Sequence, residues 1–357
     1  MEAVRVAYTL EQCWQRVPGG TALAALRTAD AIQRRGDVEL IGVAGKHHDQ
    51  PRDPYKPNMP VRHLPLAAPW LYQAWLRVGW PRPESVVPEA DVVHATTVIS
   101  CPTRKPLVVT IHDLAFLHDP TQFTANGVRV FTRSVELIKR HADLILCSSQ
   151  ATIDDCLGVG LEVGKLRHVP LGVEAIPAAE AEISRVRQKF ELPRQFVLFV
   201  GTVEPRKNLK RLAQAMARLG DPLPLIVAGE SGWGDVAADV HGDVRFLGFV
   251  ATADLNALYA AAEVFCYPSE REGYGLPVLE AMVQGTPVVT SQGTSTEEAA
   301  GGAAVLVDPF DIADIARGIT EARQRRAGLS ELGRARAGRA SWDMTAELTV
   351  AAYRELA

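Results

Sequence analysis

Short apolar runs alternate with longer amphipathic stretches along the chain. In the first half, runs rich in Val, Ile and Leu predict strands at residues 4–8, 38–43, 92–94, 107–111, 144–147 and 166–169. Helical periodicity predicts helices at residues 22–35, 127–141 and 150–157. The segment 46–60 is rich in Pro, Asp and His and is predicted to be a loop. Apolar strands that alternate with helices are typical of a parallel sheet covered by helices.

The same alternation starts again after residue 172. It predicts strands at residues 196–200, 225–228, 244–246, 264–267, 287–290 and 304–307, and helices at 209–219, 252–261, 278–284 and 312–324. Turn residues fill the segment 170–177, where we place the connection. We therefore predict two α/β domains, at residues 1–172 and 173–340, that face each other across a cleft. Such a cleft is the default ligand site.

Length, composition and charge narrow the type of protein and its partners. The 357 residues, 47% of them hydrophobic, are enough for two cores. A net charge of -4 gives no basic field, so nucleic acid is not expected as a partner.

Five scattered cysteines without a Cys-x-x-Cys pair favour buried thiols in a reducing cytoplasm. The chain starts without a signal-peptide pattern and lacks a spanning apolar run, so we expect a cytoplasmic protein, soluble or peripheral to the inner face of a membrane.

Two adjacent cations follow an apolar strand in the second domain. The run 196–200 leads into Gly201 and Thr202, and then into Arg206 and Lys207. A guanidinium can hold phosphate oxygens in a bidentate manner, and the neighbouring ammonium adds a movable point charge, so the pair suits a diphosphate. The alternative is a solvated pair that precedes a helix. Its position at the carboxyl end of a strand favours the functional interpretation.

A second candidate is the segment Glu272-Gly273-Tyr274-Gly275-Leu276-Pro277-Val278-Leu279-Glu280. Proline is well tolerated in the first turn of a helix, so the backbone N–H groups of Gly275 and Leu276 should lie at a helix N-terminus suited to phosphate. The carboxylates of Glu272 and Glu280 could each accept hydrogen bonds from a pair of hydroxyls, one pair on a sugar and the other on a ribose. The alternative is a solvated turn followed by a surface helix residue.

The first domain offers two further candidates. His112 ends the predicted strand 107–111 and could face the cleft beside the transferred group, although a purely structural hydrogen bond is the alternative. Gly20 precedes a helix predicted to begin near Thr21, so a ligand could approach bare backbone amides there. A tight turn without a ligand is the other interpretation of these glycines.

Missing motifs narrow the chemistry. No phosphate-binding Walker loop and no Gly-x-Gly-x-x-Gly sequence is present, which counts against triphosphate hydrolysis and dinucleotide oxidoreduction. No Asp-x-Asp triplet is present to hold a divalent ion, so we expect no metal site and no cofactor. Charge on a leaving diphosphate would be met by Arg206, Lys207 and helix dipoles.

An aromatic stretch contains Trp70, Trp75 and Trp80, with Arg77 and Arg82 beside them. Packing of these side chains against the first sheet is the favoured interpretation. Contact with a membrane surface or a lipid-linked acceptor is the alternative.

The ordered motifs of the chain resemble those of the family 4 retaining glycosyltransferases of the GT-B fold, over nearly the whole length. The motifs are Val17-Pro18-Gly19-Gly20, Thr110-Ile111-His112-Asp113-Leu114, Val169-Pro170-Leu171-Gly172-Val173, Gly201-Thr202, Glu204-Pro205-Arg206-Lys207-Asn208, Phe246-Leu247-Gly248, Pro268-Ser269, Glu272 to Met282, Gly285-Thr286-Pro287-Val288-Val289 and Leu306-Val307-Asp308-Pro309. The His-Asp-Leu and Glu-Pro-Arg-Lys-Asn forms look most like the mannosyltransferase branch that builds bacterial polysaccharides. The Pro-Gly-Gly loop also resembles enzymes that mannosylate phosphatidylinositol.

The resemblance implies transfer of a hexose, with mannose from GDP-mannose favoured over a UDP-sugar, to a glycan, glycolipid or small-molecule acceptor. Residues 1–172 would bind the acceptor and residues 173–340 the nucleotide sugar, and a helix at 341–357 would cross back to the first domain. The implied catalytic residues are His112, Glu272, Arg206 and Lys207. The implied donor-binding residues are Gly20, Gly201, Thr202, Arg206, Lys207, Glu272, Gly273, Tyr274, Gly275, Leu276 and Glu280.

By the same resemblance, Arg206 and Lys207 would bind the diphosphate, Glu272 the sugar and Glu280 the ribose. Anomeric configuration would be retained by front-face attack without a protein nucleophile. One departure concerns residues 295–302, where family members often carry a proline that this chain lacks. A nucleotide-sugar epimerase of the same fold and a non-catalytic nucleotide-sugar-binding subunit are the alternatives.

Overall fold

The computed structural model describes residues 3–15, 18–174, 176–230 and 240–357. The chain divides into two compact units. Unit 1 contains Met1–Gly172 and Trp342–Ala357, and unit 2 contains Val173–Ser341. In its described part, each unit is built on one parallel β-sheet.

Unit 1 carries a seven-stranded sheet and its helices. The strands are β1 (Val4–Thr9), β2 (Val38–Ala44), β3 (Val61–His63), β4 (Val92–Ala95), β5 (Leu107–Ile111), β6 (Leu144–Cys147) and β7 (Leu166–His168). The helices are α1 (Gly19–Arg35), α2 (Trp70–Arg77), α3 (Ala115–His118), α4 (Ala125–His141) and α5 (Gln150–Gly158). A single-turn 3-10 helix, Glu11–Trp14, follows β1.

Unit 2 carries a six-stranded sheet and its helices. The helices are α6 (Glu180–Lys189), α7 (Leu209–Met216), α8 (Thr252–Ala261), α9 (Leu276–Val283), α10 (Ser295–Ala300), α11 (Ile312–Gln324) and α12 (Arg326–Ala337). The strands are β8 (Val197–Val200), β9 (Leu225–Ala228), β10 (Val244–Gly248), β11 (Val264–Tyr267), β12 (Val288–Ser291) and β13 (Val305–Val307). The final helix of the chain, α13 (Trp342–Leu356), belongs to unit 1.

The two sheets have the same strand order. It is β3-β2-β1-β4-β5-β6-β7 in unit 1 and β10-β9-β8-β11-β12-β13 in unit 2. Their central strands are buried on both faces, as in β8 and β11, where every residue is buried. In each sheet the strand order reverses once, between β1 and β4 in unit 1 and between β8 and β11 in unit 2. In open α/β sheets the carboxyl ends of the strands at this switch point form the ligand crevice.

Every strand predicted from the apolar pattern is confirmed to within two residues at each end, and β5, β6, β9 and β11 match the prediction at both ends. The loop predicted at residues 46–60 contains neither helix nor strand. Helix α1 is a correction, because it begins at Gly19 rather than near Thr21. Val17 and Ala175, which fall in the predicted glycine loop and connection, lie outside the described residues.

Helix α13 packs on α1 within unit 1. Ion pairs link the two ends of α13 to other parts of the unit: Arg34 to Asp343 at 2.9 Å, and Arg354 to Asp37 at 2.7 Å. Its buried Tyr353 hydroxyl lies 2.6 Å from Nδ1 of His94 on β4. The C-terminal segment is therefore an integral part of the core of unit 1.

Candidate active site

The turn after β8 holds the two predicted cations at the switch point of the unit 2 sheet. Gly201 follows the last residue of β8 and has φ of 149°, in the region that favours glycine. A 3-10 turn, Pro205–Lys207, follows and ends at Asn208, whose φ is 62°. The Asn208 amide donates to the carbonyl oxygens of Pro268 at 3.0 Å and Pro309 at 2.6 Å. These bonds fix the turn against the end of β11.

Arg206 and Lys207 converge on Glu272. Lys207 Nζ donates to Glu272 Oε1 at 2.5 Å, and Arg206 Nη1 donates to Glu272 Oε2 at 3.1 Å. Arg206 Nε also donates to Glu204 Oε2 at 3.1 Å. Lys207 is only 7% exposed, so the interpretation of this pair as two solvated surface cations is wrong. One carboxylate thus holds both cations, one on each oxygen.

Tyr267, at the end of β11, completes this group. Its hydroxyl accepts a hydrogen bond from Lys207 Nζ and donates to Glu272 Oε1 at 2.9 Å. Lys207 Nζ also lies 5.0 Å from the centre of the Tyr267 ring, within cation–π range. We call Arg206, Lys207, Tyr267 and Glu272 the cation cluster.

The cation cluster keeps Glu272 ionised. Burial acts to raise the pKa of Glu272, but the charges of Lys207 and Arg206 outweigh it and hold this pKa at about 2. Two of the three N–H groups of Lys207 are used by described residues, Tyr267 and Glu272, so one remains for a ligand oxygen. The cluster can therefore add a phosphate oxygen without dismantling the pair that orients its ammonium.

The glycine turn after Glu272 leads into α9. Gly275 is the N-cap residue with φ of 115°, and a Cβ there would lie 3.1 Å from Thr296 Cγ2, so the position demands glycine. Pro277 lies in the first turn, as predicted, and the backbone N–H groups of Gly275 and Leu276 lie at the helix N-terminus. Tyr274, between the two glycines, is buried.

Glu280 lies on α9 and is half-buried rather than a solvated surface residue. The Tyr259 hydroxyl of α8 donates to Glu280 Oε2 at 2.8 Å. Burial raises the pKa of Glu280, and the nearby charge of Glu174 adds to this effect. Tyr259 therefore orients one oxygen of the carboxylate, which leaves Oε1 for a ligand hydroxyl.

His112 and Gly20 belong to unit 1. His112 Nε2 is buried and makes no hydrogen bond to any described residue, so the interpretation of the ring as a structural hydrogen-bonder does not hold for this atom. Burial lowers the pKa of His112 to about 4. Its backbone carbonyl accepts from Thr152 Oγ1 at 2.8 Å. Gly20 has open space where a Cβ would stand. The place of both residues beside a donor stays a prediction.

His112 also lines a pocket in unit 1 that encloses about 350 Å³, part of it open to solvent. The same pocket is lined by His94, which contacts Thr110 Oγ1 at 2.7 Å through Nε2. Burial lowers the pKa of His94 to about 3, and His112 adds to this effect. Both imidazoles are therefore neutral near pH 7.

Comparisons with known proteins show the family of the chain. The family model of glycosyl transferases group 1 matches residues 180–336, and the model of Glycosyltransferase Family 4 matches residues 18–175. The O-antigen chain mannosyltransferase B of Escherichia coli is 35% identical over 272 residues, which cover 70% of this chain and 70% of that protein. The chain is a family 4 glycosyltransferase.

Two further comparisons extend over most of the glycosyltransferase. The D-inositol 3-phosphate glycosyltransferase of Mycolicibacterium smegmatis is 28% identical over 373 residues, or 94% of this chain and 86% of that protein. The solved structure of Anabaena HepE, in complex with UDP and glucose, superposes with a TM-score of 0.78 at 22% identity over 99% of this chain and 100% of that one. This likeness shows the GT-B fold, with its two Rossmann-like sheets.

Sequence reasoning about the glycosyltransferase missed Tyr267 and Tyr259. Tyr267 is the last residue of a predicted strand, beside the Pro268-Ser269 motif, and this position was the available signal. Tyr259 lies inside α8 and is fully buried, which the sequence did not mark. Ser295 begins the segment 295–302, which was noted only because it lacks the proline of many family members. Its hydroxyl nevertheless donates to the backbone carbonyl of Glu272 at 2.6 Å.

The aromatic stretch of the glycosyltransferase divides into two faces. Trp75 is buried and its Nε1 donates to Pro81 O at 2.7 Å, as packing against the sheet predicts. The same prediction is wrong for Trp70 and Trp80, which are 72% and 52% exposed. The reason is helical geometry, since α2 turns one stripe to the core and leaves Trp70 on the opposite one. Within the described residues, every helix is too short or too polar to span a bilayer.

Proposed function

We propose that the glycosyltransferase moves a hexose from a nucleotide sugar to a glycan, glycolipid or small-molecule acceptor. GDP-mannose is the favoured donor. The observation that carries the proposal is the convergence of Arg206 and Lys207 on Glu272 at the switch point of the unit 2 sheet. This arrangement puts a guanidinium, an ammonium and the N-terminus of α9 in one unit, where a diphosphate needs them.

In this proposal, unit 2 binds the donor and unit 1 the acceptor. Arg206 and Lys207 bind the diphosphate and stabilise the charge that develops on it as the sugar leaves. Gly201, Thr202 and the Gly273–Leu276 backbone line the phosphates, Glu272 contacts the sugar and Glu280 the ribose. His112 would lie beside the transferred sugar, and Gly20 would let the phosphates approach the backbone.

The chemistry proposed is retention of anomeric configuration by front-face attack. The departing phosphate oxygen takes the acceptor proton as the new glycosidic bond forms, so that no protein nucleophile is needed. Because Arg206 and Lys207 supply the positive charge, we propose that transfer needs neither a metal ion nor a cofactor. Turnover that survives removal of divalent ions with EDTA would support this part.

Mannose is favoured because the E. coli relative is named a mannosyltransferase. The Anabaena neighbour, which holds UDP and glucose, supplies the competing donor class. A panel of GDP-mannose, GDP-fucose, UDP-glucose and UDP-galactose, with release of the nucleotide as the readout, separates these donors. Preference for a UDP-sugar would overturn the GDP-mannose assignment and leave the glycosyltransferase assignment in place.

Lys207→Ala tests the site in the same assay. Loss of a preorganised charge at a transition state costs about 100-fold to 1000-fold in rate. We expect such a loss in Lys207→Ala and also in Glu272→Ala, with cooperative unfolding retained. Lys210→Ala is the matched control, because Lys210 is exposed on the neighbouring α7. Unchanged turnover in either site variant would overturn the site assignment.

We also propose peripheral contact between unit 1 and the cytoplasmic face of an anionic membrane. Trp70, Val78 and Trp80 are exposed at the two ends of α2, and exposed Arg77 lies on the same helix face as Trp70. Exposed Arg133 of α4 donates to Leu76 O at 3.3 Å, which brings a basic helix to this apolar patch. Tryptophan beside arginine suits the interface of a bilayer with anionic lipids.

A further inference from the structure

A compact group of aromatic and titratable side chains in unit 1 contains none of the residues assigned so far. It consists of Glu11, Trp14, His47 and His63, which we call the indole–histidine cluster. We propose that this cluster binds a neutral saccharide and is an acceptor subsite of the enzyme. The inference rests on the proposed function and names the class of acceptor.

The cluster lies where the sheet of unit 1 presents its ligand edge. Glu11 follows the end of β1 by two residues, His47 follows the end of β2 by three, and His63 is the last residue of β3. These three strands are neighbours in the sheet and run parallel. Their carboxyl ends therefore share one edge, and β1 is a strand of the switch point.

A buried carboxylate anchors the cluster. Glu11 is 3% exposed, and its Oε2 accepts from the backbone N–H of Gly45 at 2.6 Å. His47 Nε2 lies 3.0 Å from Oε2 and 3.1 Å from Oε1 of the same carboxylate. A carboxylate only accepts, so Nε2 of His47 carries the proton. With one proton on the ring, at Nε2, Nδ1 is a lone-pair acceptor.

His63 is fixed in the opposite tautomer. Its Nδ1 lies 2.6 Å from the carbonyl oxygen of Gly45, which can only accept, so Nδ1 carries the proton and Nε2 offers a lone pair. Gly45 thus contributes to the position of both imidazoles. Its N–H donates to the Glu11 carboxylate that holds His47, and its carbonyl oxygen accepts from His63. A Cβ at Gly45 would lie 2.7 Å from Leu66 O, so no larger residue fits.

The indole of Trp14 joins the two imidazoles. It stacks on His47 at 4.7 Å between ring centres, with planes 10° apart, and meets His63 edge-on at 5.9 Å. Its Nε1 donates to Asp49 O at 2.8 Å, which fixes the plane of the ring. Trp14 is half-buried and His63 is exposed, so solvent exposure increases across the cluster from the buried Glu11 carboxylate to His63.

These features select a neutral polyhydroxyl ligand. Two imidazole lone pairs can accept from hydroxyl groups, and the indole face that does not stack on His47 can pack against the C–H groups of a pyranose. The negative charge of Glu11 disfavours an anionic ligand such as a phosphate. Among the described residues, no three His, Cys, Asp or Glu side chains are grouped so that they could hold a metal ion, which argues against a metal as the ligand of the two histidines.

The test measures both binding and transfer with methyl α-D-mannoside as the probe. Saturation-transfer NMR on the full chain does not require turnover, and we expect signals from the sugar ring that are lost in His47→Ala and in Trp14→Ala. In transfer assays with GDP-mannose, we expect the KM for the mannoside to rise about tenfold in each variant, as loss of one hydrogen bond or ring contact predicts. The Kd for GDP, measured by calorimetry, should not change.

His48→Ala is the matched control, because His48 is exposed and adjacent to His47. An unchanged KM and unchanged NMR signals in His47→Ala and Trp14→Ala would overturn the subsite, and so would equal losses in His48→Ala. If a variant unfolds, His47→Gln and Trp14→Phe repeat the test with smaller changes in shape. Mannoside signals without any transfer in the wild type would support the subsite and contradict the proposed function, so the two failures are distinguishable.

Discussion

The Glu272 carboxylate accepts a hydrogen bond from the Lys207 ammonium at 2.5 Å, across the junction of β8 and β11. Lys207 follows the first of these strands and Glu272 the second, and the two strands are neighbours in the sheet. A buried charge pair is costly to assemble and strongly destabilising to break on one side. In the proposed donor site, this pair orients the ammonium for a phosphate.

Tyr267→Phe should slow transfer without loss of the fold. The variant keeps the ring that lies 5.0 Å from Lys207 Nζ and removes the hydroxyl that donates to Glu272 at 2.9 Å. A hydrogen bond to a charged group contributes about 1.5 to 3 kcal/mol, so kcat should fall about 10-fold to 100-fold. Steady-state kinetics measures this. Tyr8→Phe, which loses a buried hydroxyl in unit 1, is the control. Equal activity of Tyr267→Phe and wild type would exclude a positioning role for this hydroxyl.

Glu280→Ala should abolish discrimination between ribose and deoxyribose in the donor. The wild type is expected to prefer GDP-mannose over its 2′-deoxy analogue by about tenfold in kcat/KM, the value of one hydrogen bond. Tyr259→Phe should keep part of this preference, because the carboxylate remains and only its 2.8 Å bond is lost. Glu331→Ala, at an exposed position on α12, should behave as wild type. A preference that persists in Glu280→Ala would place the ribose elsewhere.

His112 should titrate far below the usual range of histidine. Burial lowers the pKa of His112 to about 4, whereas the unfolded chain titrates near ~6.5. Between these values the unfolded state binds more protons, so this residue lowers the stability of the fold as the pH falls from about 6.5 towards 4. NMR titration of labelled histidine, assigned with His112→Gln, gives the midpoint. A midpoint near 6.5 would show that the ring is hydrated and charged more easily than the structure indicates.

Trp70→Ser combined with Trp80→Ser should weaken binding to anionic vesicles about tenfold, because both exposed indoles lose their place in the interface. Flotation with phosphatidylglycerol–phosphatidylcholine vesicles measures the bound fraction, and vesicles of phosphatidylcholine alone should bind less protein. Phe310→Ser removes an exposed aromatic residue from unit 2 and is the control. A wild type that stays unbound on anionic vesicles would refute the proposed membrane contact.

The sequence predicted the strands well because most of them are buried apolar runs bounded by polar residues. Strand β3 escaped prediction, since its residues Arg62 and His63 are exposed and it is only three residues long. Helix α6 was also missed, because it buries only Val186 and has no apolar stripe to read. The apolar pattern of the sequence gives no signal for a strand or helix that buries few of its side chains.

The site was predictable in its charges but not in its contacts. Arg206, Lys207 and Glu272 stand in recognisable motifs, so their placement in one domain could be expected. The bond from Tyr267 to Glu272 depends on the turn after β11, and that from Lys207 to Tyr267 depends on the pairing of β8 with β11. This strand pairing brings together residues far apart in the sequence, since 60 positions separate Lys207 from Tyr267. Sheet order, which no local signal encodes, therefore decides the cluster.

The most direct test of the donor site is a crystal structure of the enzyme with GDP-mannose. The donor-site assignment predicts diphosphate oxygens within about 2.7–3.2 Å of Arg206 and Lys207 nitrogen atoms, the range of a hydrogen bond. It also predicts a ribose hydroxyl on Glu280 and a mannose hydroxyl on Glu272. A diphosphate bound away from Arg206 and Lys207, with both side chains still paired to Glu272, would contradict the proposed donor site.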